Sequence, residues 1–323
     1  MVDTVSSVVT GMTPRSSPRP KYPSLYIPLI YWFRSALMSS GLMGTLLTYA
    51  LYPTYMTAVT YLKSKNVSDA LILTILLSAV HTVLYIIING ALYTFDRNNY
   101  FREYKLWRNP IMLEVNEKLL SPTLIAATIS QVLTSPLLTY YIYPIFLRFG
   151  MTPFESELPD TFTIFKTMLL CHLFNEFGFY FTHRLLHSTL LYGSIHKQHH
   201  EYKGTIGLAA EYAHPVEVLL SNIIPTIGGF LLVSTGHPLT LLVWLGLRLE
   251  QTYMAHSGYC FKNTVLDSIG LAHAENAAFH DYHHSSNCGN FGSFLTDYLF
   301  GTCDFYIKDG GYDGYCQKST KEK

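Results

Sequence analysis

This sequence is poor in charge and lacks cysteine pairs, and both absences narrow the class of protein. Charged side chains make up 14% of the 323 residues, against about 25% in soluble domains. The 22 basic residues are balanced by 22 acidic ones, which argues against a nucleic-acid binder, since those concentrate positive charge on one face. The five cysteines include no C-x-x-C pair, which argues against a disulfide framework. An ordinary soluble globule is therefore not predicted.

Long apolar stretches without charge take the place of these features. Residues 35–62, 70–95, 119–147 and 218–247 contain no Asp, Glu, Lys or Arg, and each exceeds the roughly 20 apolar residues that cross a bilayer as a helix. Residues 161–182 are apolar apart from Lys166 and Glu176. We predict an all-α fold, a polytopic membrane helical bundle of about four spans plus a hairpin or re-entrant segment.

The same stretches divide the chain and indicate its orientation. Residues 1–34, rich in Ser and Pro, are predicted to be a disordered cytosolic tail. An N-terminal transmembrane region at 35–160, a histidine-rich domain at 161–306 and a C-terminal tail at 307–323 are predicted to follow. Lys and Arg gather in the two tails, in residues 96–118 and among the histidines, and positive charge accumulates on the cytosolic side of membranes. The histidines are therefore predicted to face the cytosol.

Most of the fourteen histidines crowd into three short clusters at ligand spacing. Residues three and four apart share a helix face, so each cluster can aim imidazoles in one direction. Eight imidazoles exceed the four ligands of a tetrahedral zinc, which favours two metals in one cage, although imidazole binds zinc, copper, iron and nickel alike. The clustered residues are His183, His187, His196, His199, His200, His280, His283 and His284.

Residues 218–247 either cross the membrane once or fold back near Gly236 and Pro238, residue types that mark turns. A single crossing would put the third cluster on the other side from the first two, where it could not share their metals. The segment is therefore predicted to return, as a hairpin or as a re-entrant loop buried against protein.

Other histidines have simpler interpretations. His81, His172 and His237 lie inside or at the ends of apolar stretches and are predicted to be structural, although polar residues within spans usually face the bundle interior. The clusters themselves could be core histidines or a loose zinc-binding tract. Such tracts are repetitive, whereas these clusters stand in mixed sequence.

A family resemblance rests on the three clusters and on two further elements. These are Ala210-Glu211-Tyr212-Ala213-His214-Pro215-Val216-Glu217 and His256-Ser257-Gly258-Tyr259, with Arg248 and Glu250 between them. Over about residues 169–302 the chain resembles the fatty acid hydroxylase superfamily of membrane di-iron enzymes, and within it most resembles the C4-methylsterol oxidases.

The resemblance implies a fatty acid hydroxylase-type catalytic domain at 161–306 that binds two iron ions in a cytosolic cap. It adds His256 as a ninth ligand and His214 as either a tenth ligand or a partner at the membrane boundary. The implied reaction is O2-dependent oxidation of a lipid, chiefly sterol C4-methyl oxidation in sterol biosynthesis, at the endoplasmic reticulum membrane. Because the chain has no G-x-G-x-x-G motif, electrons are expected from NAD(P)H through cytochrome b5 and its reductase.

Ligand histidines need acceptors for their second ring nitrogen. The carboxylates of Glu176, Glu201, Glu211, Glu217, Asp281 and Asp297 are the candidates. Two alternatives to the sterol reaction stay open at this point: another hydroxylase or desaturase of the same superfamily, and a non-enzymatic membrane protein that binds or transports metal.

Overall fold

The computed structural model describes residues 24–106, 110–233, 236–272 and 274–321. These ranges leave out most of the predicted N-terminal tail and the basic residue Arg108. They also leave out residues 234 and 235, which precede Gly236 in the predicted turn. The regular structure in the described part of the chain is helical, and a single isolated antiparallel bridge joins Lys105 to Tyr259. The all-α prediction is confirmed for these residues.

The long helices follow the predicted apolar stretches. Three of them are uninterrupted α-helices: Asp69–Asn98, Thr161–Leu186 and Pro238–His256. Three others continue through a π-helical segment without a break: Tyr26–Phe33 with Arg34–Met43 and Gly44–Ser64, Pro110–Ile129 with Ser130–Thr134 and Ser135–Arg148, and Pro215–Glu217 with Val218–Ile223 and Ile224–Leu231. The short helices are Arg102–Tyr104, Tyr192–His196, His199–Glu201, Gly207–Glu211, Val265–Ser268, Ala274–Ser286, Phe294–Phe300, Asp304–Lys308 and Gly311–Lys321.

The first helix begins earlier than expected. The predicted tail extends to residue 34, but the structure is helical from Tyr26. The reason is the apolar run of residues 26–33, which reads YIPLIYWF. Arg34 then binds the backbone carbonyl of Asp267, so the start of this helix is attached to the histidine-rich half of the chain.

The helices differ in whether their length and apolar character suffice to cross a membrane. Among the described residues, Asp69–Asn98 is the one helix both long and apolar enough to span a bilayer by itself. Pro215–Leu231 is apolar but shorter than a span. The number of crossings and their direction therefore stay predictions.

Residues 218–247 form two helices rather than one. The chain leaves helical geometry after Leu231 and resumes it at Pro238, where the His237 side chain caps the new helix by accepting from the Leu239 amide at 3.1 Å. The indole of Trp244 donates to the carbonyl of Thr226 at 2.7 Å. Because these two residues stand at similar distances from the break, the helices run antiparallel, in agreement with the predicted return of the segment.

The connecting segments separate to the two ends of the bundle. The amide of Thr152 donates to the carbonyl of Gly236 at 3.0 Å, and Lys63 pairs with Glu155 at 3.3 Å. The turn after Ser64, the loop 149–160 and the 232–237 turn thus meet at one end. The histidine clusters lie at the other.

The main core lies between these ends. Trp244, Met168 and Ile72 are fully buried there, on three different helices. The helix Ile224–Leu231 packs directly on Thr161–Leu186, where a Cβ at Gly229 would stand 2.5 Å from the Cα of Cys171. This contact fixes the hairpin against the helix that delivers the first histidine cluster.

Candidate metal centre

The first histidine cluster lies where the helix Thr161–Leu186 ends. Asp160 caps the beginning of this helix, its carboxylate accepting from the Thr163 amide at 3.0 Å. His183 stands in the last turn and His187 directly after it. Being four residues apart, both imidazoles lie on one side of the chain.

The second cluster is carried by irregular short helices. The π-helical turn Tyr192–His196 and the 3₁₀ turn His199–Glu201 hold its residues. A uniform helix would direct all three imidazoles to neighbouring positions, but here His196 and His200 turn to one side and His199 to another. Two imidazoles of this cluster therefore share a direction, as expected, and the third does not.

The third cluster lies on the regular helix Ala274–Ser286 and divides in the same manner. His280 and His284, four residues apart, share a face, whereas His283 lies on an adjacent face. His256, the last residue of the helix Pro238–His256, completes the arrangement. In each split cluster the pair at spacing four stays together.

Nine of the ten predicted ligands come together, in two groups. Within each group the ligand atoms all lie within 4.8 Å of one another, and the rings of His200 and His284 stack across the boundary at 4.6 Å. The first histidine group is His183, His187, His196, His200 and His283, and the second histidine group is His199, His256, His280 and His284.

The Nε2 atoms converge inside each group. In the first histidine group, the Nε2 of His183 lies 2.9 Å from that of His196, and the Nε2 of His283 lies 3.1 Å from those of His187 and His200. In the second histidine group the corresponding separations are 2.9, 3.2 and 3.2 Å.

Backbone carbonyls decide which nitrogen of these rings carries the proton. The Nδ1 of His183 lies 2.6 Å from the carbonyl oxygen of Phe291 and that of His284 lies 2.9 Å from that of Tyr202. A carbonyl only accepts, so Nδ1 must be the donor and Nε2 a bare lone pair in the neutral ring. Three more rings are held in this way: His199, His256 and His283 bind the carbonyls of Tyr212, Thr252 and Gly289.

Nε2 atoms at these distances, five of them lone-pair acceptors in the neutral ring, can share a cation. The five donors of the first histidine group exceed the four ligands of a tetrahedral zinc. That group therefore fits a metal of higher coordination number better than a structural zinc.

Burial keeps the imidazoles in the form that binds metal. It lowers the pKa of His256 to about 4 and that of His283 to about 3, and it lowers the pKa of His183, His199 and His284 well below the ordinary value. At neutral pH these rings are uncharged, and neutral imidazole is the form that metal binding requires.

The expected carboxylate acceptors mostly lie elsewhere. Glu217 is the exception, since its Oε2 lies 2.9 Å from the Nδ1 of His196, although neither atom meets hydrogen-bond geometry. Asp281 accepts instead from the amide and hydroxyl of Thr205. Asp297 accepts from two backbone amides of the 291–292 loop. The carboxylates thus hold segments in place, and the rings bind carbonyls.

The remaining carboxylate candidates are also engaged away from the rings of the two groups. Glu211 accepts from Tyr253 at 2.5 Å and lies 2.9 Å from the Nε2 of His81, and Glu201 accepts from Tyr212 at 3.1 Å. The hydroxyl of Ser293 donates to Glu176.

His214 is the one predicted ligand that is outside both groups. Its Nδ1 accepts from the Val216 amide at 3.2 Å and so caps the short helix that begins at Pro215. Two of the histidines interpreted as structural also have local partners: Nδ1 of His172 lies 2.8 Å from the Ser40 hydroxyl, and His237 caps its own helix.

One cavity adjoins the second histidine group, and a second cavity shares part of its wall. The metal-side cavity, about 110 Å³, is lined by His183, His199, His256 and His280 together with Glu176 and Arg248. The apolar cavity, about 160 Å³, is lined largely by aliphatic side chains including Leu77, Leu138, Ile142, Leu241, Leu245 and Leu249. Arg248, Asn222, Thr252 and Ala210 line both. Arg248 therefore stands between the apolar cavity and the cavity beside the imidazoles.

A buried cage of neutral imidazoles at the end of a helical bundle is a site that could bind metal through histidine ligands. Comparison with known proteins gives the family. The fatty acid hydroxylase model matches residues 168–302, which include all nine grouped histidines.

Several relatives have descriptive names. A Dictyostelium discoideum protein provisionally named a methylsterol monooxygenase is 36% identical over 63% of this chain and 74% of its own length. Methylsterol monooxygenase 1 of Rattus norvegicus is 33% identical over 75% of this chain and 79% of its length. A rice protein named a very-long-chain aldehyde decarbonylase is 38% identical over 50% of this chain and 60% of its length. No solved structure matches the chain.

The chain belongs to the fatty acid hydroxylase family. It is therefore an enzyme of the oxygenase kind, and the metal-transport alternative is set aside.

Two features of the site were not found from the sequence. The acceptors of the ring nitrogens are backbone carbonyls, which every residue carries and no residue type marks. The second is the position of Arg248 between the two cavities. Its position directly after the uncharged residues 218–247 is the signal that could have drawn attention to it.

Proposed function

We propose that this protein is a di-iron, O2-dependent membrane oxygenase that oxidises the C4-methyl group of a sterol during sterol biosynthesis. The observation that carries the proposal is the pair of histidine groups, whose Nε2 atoms converge beside a cavity that shares wall residues with an apolar one. The names of the Dictyostelium and rat relatives support the substrate.

The nine grouped histidines are proposed as the ligands of two irons, and His214 as a helix cap. Iron is the element of choice because zinc is redox-inert. When bound, two ferrous ions would supply dioxygen activation, which neither zinc nor the amino-acid side chains provide. The balanced reaction is R–CH3 + O2 + 2 e⁻ + 2 H⁺ → R–CH2OH + H2O, in which the methyl carbon is oxidised and dioxygen is reduced.

The chain's own residues position the lipid and limit water. The aliphatic wall of the apolar cavity, which includes Leu138 and Leu245, favours a hydrocarbon body over water. Carbonyl oxygens of Phe291 and Gly289 hold the rings of His183 and His283 in fixed orientation. Such fixed donors need no rearrangement when substrate enters.

The two electrons are proposed to come from NAD(P)H through cytochrome b5 and its reductase at the cytosolic face. Of the basic residues between positions 97 and 118, Lys105 is engaged with Asp96 and lies over the ring of Tyr259 at 5.6 Å, so it holds this segment as well as carrying charge. Reconstitution is the test: purified protein should turn over with NADH, the reductase and cytochrome b5, and turnover should stop when cytochrome b5 is omitted.

The outer faces of the helices support placement in a membrane. Ile86, Ile125, Val132, Tyr141 and Phe162 are each more than half exposed, and such apolar surface is typical of a lipid-facing bundle. The proposed location is the endoplasmic reticulum, with the histidines cytosolic. In sealed microsomes, an epitope inserted in the 149–160 loop should resist added protease, whereas a C-terminal epitope should be digested.

Sterol analysis tests the substrate. Cells that lack the gene should accumulate 4-methyl or 4,4-dimethyl sterols, and the wild-type protein should reverse this while His283→Ala does not. The purified wild type should contain about two irons. Normal sterols in the deficient cells would contradict the sterol assignment.

A second candidate substrate is an acyl chain, favoured by the name of the rice relative. The same deficient cells decide between the two. Altered long-chain aldehydes, alcohols or hydroxy acids with unchanged sterols would favour the acyl substrate.

A further inference from the structure

The metal-side cavity is lined by more polar groups than the protein itself satisfies. Asn175, Ser221, Arg248 and Gln251 line it, and each has a buried polar atom without a hydrogen-bond partner, namely Oδ1, Oγ, Nε and Nε2 respectively. Buried polar atoms in folded proteins are nearly always paired. These unpaired atoms around one small cavity can therefore pair with a polar ligand group that enters it.

Arg248 is the charged member of this set. Its terminal nitrogens donate to two neutral acceptors, Gln251 Oε1 at 2.7 Å and Thr252 Oγ1 at 3.3 Å. A guanidinium carries five N–H donors and stays protonated in proteins. These contacts leave donors unused, and they leave the charge without the paired oxygens that usually accompany a buried guanidinium.

Glu176 supplies the opposite charge in the same cavity. Its carboxylate accepts from the hydroxyls of Ser293 and Thr296, the latter at 3.3 Å, and it lines the cavity together with Arg248. A ligand group that both donates and accepts can use the carboxylate and the guanidinium at once. A hydroxyl is the simplest such group.

The position of Arg248 also relates the polar group to the rest of the ligand. It lines both the metal-side cavity and the apolar cavity. A ligand that fills both would thus have a hydrocarbon body among Leu138, Leu241 and Leu245, and an oxygen at the junction. The carbon next to that oxygen would lie toward the second histidine group.

We propose that Arg248 anchors the ring hydroxyl of the sterol and so selects the carbon beside it for oxidation. This rests on the proposed function, and it explains the substrate in chemical terms, since a sterol carries a hydroxyl on the ring carbon adjacent to C4. Arg248 is a specificity-determining residue in this role, and the histidines remain the metal ligands.

The test compares a 4-methyl sterol that bears the ring hydroxyl with its 3-deoxy analogue. The wild-type protein in lipid nanodiscs should prefer the hydroxylated lipid by about 100-fold or more in kcat/KM, because a site built to bind a hydroxyl strongly rejects the analogue without it. Arg248→Met should reduce this preference to less than about 10-fold, acting chiefly through the hydroxylated lipid. Arg248→Lys should recover part of it.

Equilibrium binding of the two lipids gives a second readout that does not depend on turnover. The ratio of their Kd values should fall in Arg248→Met and be unchanged in Arg148→Met, an exposed arginine at the end of the helix Ser135–Arg148. Iron content equal to that of the wild type shows that the variant has kept its fold.

Two results would overturn the inference while leaving the proposed function intact. They are a wild type that turns over the 3-deoxy lipid as well as the sterol, and an Arg248→Met variant that keeps the full preference. A reconstituted, iron-loaded wild type that oxidises neither lipid would instead remove the sterol function on which the inference rests.

Discussion

The two histidine groups differ in composition, exposure and surroundings. The first has five imidazoles, of which His187 is half-buried, and it includes the first cluster and two residues of the irregular second one. The second has four, all buried, delivered largely by the regular helices that end at His256 and carry His280 and His284. Three of its four members line the metal-side cavity, against one of the first group's five.

This difference indicates that the two histidine groups have different roles. A group with more donors has fewer positions left for exogenous ligands, while a group with fewer donors beside a cavity leaves room for them. We therefore expect the second histidine group to be the side on which lipid and dioxygen meet. The first is expected mainly to hold its metal.

Removal of one imidazole from each group should give the largest difference in activity and metal content between the two groups. His256→Ala leaves three donors in a fully buried group, and we expect activity to fall by roughly 10³-fold or more together with loss of metal. His187→Ala leaves four donors and opens a half-buried position that water can fill, and we expect both metals to remain with a loss of about 10-fold in activity.

Metal analysis and turnover of the purified variants measure both effects. His214→Ala, which alters a helix cap outside both groups, is the matched control and should keep full metal content. Equal metal loss in His187→Ala and His256→Ala would contradict the different roles expected for the two groups.

A smaller effect is expected at the loop that holds His283. The carbonyl of Gly289 accepts from this ring at 2.5 Å, and Gly289 has a φ of 62°. A Cβ there would lie 2.0 Å from the carbonyl oxygen of Thr302, so Gly289→Ala must move the loop. Loss of such a supporting contact typically weakens metal binding 10- to 100-fold.

Competition with a chelator measures this change. Gly193→Ala, at an exposed glycine whose Cβ would meet nothing within 4 Å, should bind metal as the wild type does. Unchanged affinity in Gly289→Ala would show that the carbonyl does not orient His283.

Glu217 tests the one carboxylate beside a grouped histidine. Glu217→Gln keeps the shape of the side chain but replaces the carboxyl group, whose Oε2 lies 2.9 Å from the Nδ1 of His196, with an amide. The imidazole then loses a carboxyl partner that supports its basicity, and we expect the metal affinity of the first histidine group to fall by about 10-fold, at the lower end of such effects. A variant that binds metal more tightly would show that the buried carboxyl group opposes the site.

The rate at which a chelator removes metal should show the smallest difference between the two histidine groups. Because His187 is half-buried and the second histidine group is wholly buried, a small chelator should reach the first group sooner. Stopped-flow or timed dialysis should resolve two release phases that differ by several-fold. A single phase would indicate that both metals leave through the same opening event.

Part of the site could be predicted from the sequence. The i,i+4 pairs 183/187, 196/200 and 280/284 were predictable because that spacing places two side chains together on a helix. The separation of His199 and His283 from their own clusters was not, since it depends on π and 3₁₀ turns and on the approach of distant helices. His214 matched a pattern in sequence, but its local backbone made it a helix cap.

Side-chain type and short-range spacing were enough to predict the helices, the apolar stretches and the residues that could bind metal. The division of nine imidazoles into two groups, the carbonyls that fix five of the tautomers and the position of Arg248 between two cavities became visible only in the folded chain. Those outcomes require contacts between segments as far apart as His187 and His283, and nothing in the order of the residues states how such segments meet.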